Sequence, residues 1–264
     1  MSKSLSTQRP SRLNLLREGR ALMEFGASGL MMPLLMRAPK GDGHPVMVIP
    51  GFLASDRSTG LLRTFLKMKG YAASGWELGR NLGTHVTNGK RVISDQLLDR
   101  VITEHVKYDV KVSLVGWSLG GILAREIARE IPDCVRQVIS LGSPFNGPQG
   151  AAPIAARLFK LINGDVAERS PDSMARMLKP PPVPSSAIYS KSDGIAHWQA
   201  CRDDWVHESQ HAENIEVLGS HMGLGHNPQV LWIIANRLAQ EEGTWQPFRQ
   251  KIMHKLLYPN PERA

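Results

Sequence analysis

From His44 onward, short apolar runs alternate with stretches of helical periodicity, and that alternation leaves the chain few architectures. The candidate strands are 46–49, 71–76, 112–115, 135–141, 187–189 and 215–218. Between them lie helical stripes: Leu61, Phe65 and Met68; Ile93, Leu97 and Val101; Ile122, Leu123 and Ile127; and, after the last strand, Val230, Ile234 and Leu238. Asp56 or Ser58 is the expected cap of the first helix. Strands separated by helix-length segments need crossover connections, so the expected fold is α/β, a mostly parallel central sheet with helices on both faces. At 264 residues and 42% apolar, one such domain accounts for the chain. The expected division is an N-terminal arm at 1–43, the α/β domain at 44–243 and a tail at 244–264. Residues 143–185 break the rhythm with many Pro and Gly and end on Pro180-Pro181-Pro182, which predicts a small cap insertion. Within it, Ile154, Leu158, Leu161 and Ile162 have the spacing of a short amphipathic helix, either packed on the sheet or lining an acyl pocket.

In a parallel sheet the chemistry sits at the carboxyl ends of the strands. There the sequence places Gly116-Trp117-Ser118-Leu119-Gly120-Gly121, between an apolar strand and a helical stripe. A Gly-x-Ser-x-Gly turn in that position projects its hydroxyl above the sheet, because side chains at the two glycines would strike the adjoining backbone. Ser118 is therefore the candidate nucleophile, and a serine needs a base, an orienting acid and an oxyanion hole. His221, in the loop after strand 215–218, is the candidate base, with His226 as fallback. Asp193, after strand 187–189 and before Gly194, is the candidate acid, with Asp203 and Asp204 as competitors. The oxyanion donors are expected at the amides of Leu119 and Phe52, with Leu53 second to Phe52. His207-Glu208-Ser209-Gln210-His211 spells H-E-x-x-H, but zinc chemistry needs both histidines on one helix face, and this stretch is short and polar. Neither a metal nor a cofactor is expected.

Residues 1–41 carry +5 of the net +8. They lack a zinc-finger spacing, an RNA-recognition signature and interleaved aromatics, so nucleic acid is not an expected partner. The apolar run Ala21–Met36 holds Glu24, Gly26, Gly29 and Pro33, falls short of a spanning helix, and fits no signal peptide. Two readings remain for this arm: packing on the domain, or peripheral contact with an anionic membrane. The distant Cys134 and Cys201 match no C-x-x-C motif and no glycosylation sequon occurs, which together favour a cytoplasmic setting, with membrane association left open through the arm.

Pro50-Gly51-Phe52, Gly116 to Gly121, Ser192-Asp193-Gly194-Ile195 and Ser220-His221-Met222-Gly223 together resemble bacterial lipase- and esterase-like α/β-hydrolases over residues 44–240. The resemblance implies a Ser118–His221–Asp193 triad, Phe52 and Leu119 as oxyanion donors, and a small-molecule acyl ester as substrate. Many members have His-Gly at the oxyanion turn, where this chain has Pro50-Gly51. Two other readings of the same residues are an acyltransferase or thioesterase and a non-catalytic ligand-binding relative.

Overall fold

A computed structural model describes residues 9–83, 93–146, 152–153 and 176–249. Among them six strands form one parallel sheet: β1 Pro45–Ile49, β2 Ala72–Gly75, β3 Val112–Trp117, β4 Val135–Leu141, β5 Ser185–Tyr189 and β6 Ala212–Glu216. Their order across the sheet is β2-β1-β3-β4-β5-β6. The chain thus starts near one edge and reverses direction between β2 and β3. Helices whose bounds fall among the described residues include α1 Arg12–Arg17, α2 Ala21–Leu35, α3 Gly60–Met68, α4 Asp95–Tyr108, α5 Leu119–Glu130 and α6 Pro228–Leu238.

Alternation along β1 shows why both faces need cover. Val46 and Val48 enter a core with Leu62, Phe65, Val230 and Ile234, under α3 and α6. Met47 and Ile49 enter a second core with Leu97, Val101, Leu123 and Ile127, under α4 and α5. Every residue of β1 is buried, as expected of a central strand covered by helices on both sides.

Two expectations need correction. The cap of α3 is Thr59, not Asp56 or Ser58. The Asp56 carboxylate instead accepts the amides of Trp76 (3.1 Å) and Glu77 (3.0 Å), closing the carboxyl end of β2. The last strand runs 212–216 rather than 215–218. Its opening Ala-Glu-Asn reads as loop, yet Glu213 and Glu216 are buried among partners. Glu213 accepts from Arg237 at 3.1 Å and from Ser186 at 2.6 Å, and Glu216 pairs with Lys191 at 3.2 Å. Residues 147–151 and 154–175, including the candidate helix of the insert, lie outside the described residues.

Asn227 ties the last helix to the loop before it. Its Oδ1 accepts the Gln229 amide at 2.9 Å as the cap of α6, and its Nδ2 donates to the Leu218 carbonyl at 2.9 Å. Asn227→Ala should cost about 1–2 kcal/mol, read as a lower urea midpoint at unchanged slope; an unmoved midpoint would show that the cap is dispensable.

Candidate active site

Ser118 stands between β3 and α5 with φ 54° and ψ −120°, a strained conformation for a residue with a side chain. The surroundings enforce it. A Cβ at Gly116 would lie 2.3 Å from the Gly120 carbonyl oxygen, and one at Gly120 would lie 2.2 Å from that of Ile49. One at Gly121 would lie 2.0 Å from Ser143 Oγ. The helix can begin against β1 and β3 only because these positions carry no side chain. The Ser118 amide donates to the Leu141 carbonyl at 2.8 Å, which fixes the turn to the end of β4.

The Pro50–Phe52 turn abuts the same serine: a Cβ on Gly51 would sit 3.3 Å from Ser118 Cβ. Leu119 opens α5, and the first amides of a helix have no acceptor in the preceding turn. The amides of Phe52 and Leu119 thus belong to the two backbone segments that flank Ser118. The amide of Leu53, the second choice, donates to the Asn81 carbonyl at 2.7 Å.

Asp193 and His221 come together from the loops after β5 and β6. His221 Nδ1 and Asp193 Oδ2 are 2.7 Å apart and buried. Asp193 Oδ1 accepts the amides of Ile195 (2.8 Å) and Ala196 (2.7 Å), which leaves its other oxygen aimed at the imidazole. Both side chains lie against Gly142, where an added Cβ would be 3.1 Å from each. The Trp117 indole donates to the His221 carbonyl at 3.0 Å, so the base loop is bonded to the residue preceding the serine. No hydrogen bond joins Ser118 to His221. Burial disfavours the imidazolium, but Asp193, through its charge and hydrogen bond, and the charge of Glu18 outweigh it, so the His221 pKa is raised above its ordinary 6.5.

The competing residues have other partners. His226 shares Nε2–H with the Ala21 carbonyl (3.3 Å) and presents its ring edge-on to Phe25 and Trp117. Asp203 is buried in an ion pair with Arg125 at 2.9 Å, and Asp204 accepts from Asn146 at 2.6 Å. Residues 207–211 form a turn rather than a helix, so His207 and His211 do not share a helix face. Cys134 and Cys201 are free thiols, the second buried.

Sequence reasoning missed the part played by the arm. Glu18 Oε1 accepts the amides of Gly194 (2.7 Å) and His221 (3.0 Å), and its Oε2 accepts that of Met222 (2.9 Å). One carboxylate therefore bridges the loop bearing Asp193 and the loop bearing His221. Glu24 adds the Ser220 amide (2.9 Å) and hydroxyl (3.2 Å), and Arg20 donates to Ser192 Oγ at 2.6 Å. Hydrogen bonds to a charged group contribute about 1.5–3 kcal/mol each, well above an exposed ion pair. The only advance signal is that Glu18 and Glu24 are the two acids of an otherwise basic segment, residues 1–41.

Against solved structures, the chain is similar to an α/β-hydrolase enzyme from the metagenome of sediments of the Mar Chica lagoon, Morocco, with TM-score 0.50, 19% identity, and 72% of this chain and 87% of that one covered. It is also similar to a structure from a study of the metagenome-derived lipolytic enzymes LipS and LipT, with TM-score 0.52, 13% identity, and 76% and 93% covered. No family model matches the chain, and no curated protein is matched. The chain has the α/β-hydrolase fold.

Because the Glu18 charge helps to hold a proton on His221, the imidazole should titrate by NMR above 6.5. Glu18→Gln should move the midpoint down. An unshifted midpoint would mean that Glu18 does not act on the imidazole.

Proposed function

We propose that the chain is a serine hydrolase that cleaves carboxylic ester bonds through an acyl-enzyme. The buried 2.7 Å contact between Asp193 and His221, on the sheet edge that carries the strained Ser118, is the observation that carries this reading. The hydrolase character of one structural neighbour and the lipolytic character of the other support it.

The reaction follows from the roles. Asp193 holds the Nδ1–H of His221, so Nε2 is left as the basic nitrogen. His221 takes the proton of Ser118 Oγ as that oxygen adds to the acyl carbonyl. The amides of Phe52 and Leu119 face the negative charge that develops on the carbonyl oxygen. Collapse passes the proton from His221 to the departing alkoxide, leaving Ser118 acylated. Water, deprotonated by the same imidazole, then releases the acid and restores the serine. The Ser118–His221 hydrogen bond must close when substrate binds, and such contacts commonly tighten only in the substrate complex.

Ser118→Ala should lower kcat on short p-nitrophenyl esters by about 10⁴-fold or more; unchanged turnover would refute the assignment. The base acts only when neutral, so kcat/KM should fall on acidification with a midpoint above 6.5, in the direction of the raised His221 pKa. A profile flat through that range would exclude His221 as the base.

A further inference from the structure

The arm meets the domain through the polar groups of Glu18, Arg20, Glu24 and Ser28 and through Leu35 and Met32, yet most of the face it turns to solvent is apolar, which an ordinary surface helix would make polar. In α2 the inward side carries Glu24, Ser28 and Leu35, while Leu22, Phe25, Gly26, Gly29, Leu30 and Pro33 face outward. Leu16, Leu22 and Leu30 are 81%, 79% and 85% exposed. No charged residue occurs from Phe25 to Met36. Exposed cations border this face at both ends, with Arg9, Arg12 and Arg17 before it and Arg37 and Lys40 after it. Glu18 and Glu24, the two acids from Arg9 to Lys40, point inward onto the loops around His221.

We propose that the outer face of α1 and α2 docks on an anionic phospholipid bilayer. Apolar side chains between cationic ends suit the boundary between acyl chains and headgroups. The helix cannot span: its 15 residues reach about 22 Å at the α-helical rise, against a hydrocarbon core of about 30 Å. It lies in the surface. A second copy of the chain fits the face less well, because pairing two such faces in either direction sets cations against cations with no exposed acid on α1 or α2 between them. The carboxylates that hold the arm to the loops after β5 and β6 also place the docked surface beside the candidate site.

The test uses the full chain and vesicles of phosphatidylcholine alone or mixed with phosphatidylglycerol. Binding requires no turnover, so it stands or falls separately from the hydrolase reading. Sedimentation with the phosphatidylglycerol vesicles should exceed that with phosphatidylcholine by at least about tenfold and decline with salt. Leu16→Glu/Leu22→Glu/Leu30→Glu should lose the binding while keeping turnover of a soluble short ester. Arg12→Glu/Arg37→Glu should weaken binding to the anionic vesicles specifically. Equal binding to both vesicles, or binding to neither, overturns the proposal. A dimer that the triple leucine variant dissolves would assign the face to a second copy instead.

Discussion

The start of α5 against β1 and β3 is the constraint on which the site depends. Three glycines there admit backbone atoms to distances that no Cβ tolerates, and Ser118 is held at positive φ as a consequence. The strain is local. Its support comes from buried neighbours: the fully buried β3, the Ser118 amide bonded to β4, and Leu123 and Ile127 sealing the helix onto the sheet. Relaxing this turn would withdraw the hydroxyl from the sheet edge to which the loops after β5 and β6 bring Asp193 and His221.

Those two loops are stabilised differently from the turn. They are joined through buried hydrogen bonds, and Glu18 from a remote part of the chain accepts amides of both. The order Asp, His, Ser is not by itself diagnostic of a site. At the amino end of the sheet, Asp42 bonds His44 Nδ1, and His44 Nε2 contacts Ser113 Oγ at 2.8 Å. There the hydroxyl is on a central strand and fully buried, with no approach for a substrate. What separates the two constellations is position: the carboxyl edge, a strained turn, and adjoining helix and loop amides.

The fold was legible because its signals are local. Alternating strand and helix periodicity led to a parallel sheet, and β4 was read with its observed boundaries. The start of β6 was hidden because its buried acids look like loop until Arg237, Ser186 and Lys191 come into view. Chain order and strand ends pick out Ser118, Asp193 and His221 as candidates, and the structure brings the last two into contact. The Glu18 bridge had no local signature, since it joins positions separated by 176 and 203 residues. The hydrogen bond from the Leu53 amide to the Asn81 carbonyl likewise joins segments distant in sequence.

The central claim is that Ser118 is a hydroxyl made nucleophilic by His221. A fluorophosphonate probe reports this directly, since it captures an activated serine and leaves ordinary ones untouched. Peptide mapping of the labelled chain should place the adduct on Ser118, with labelling strongly reduced in a folded His221→Ala variant. An adduct on another residue, or an unlabelled native chain, would contradict the account.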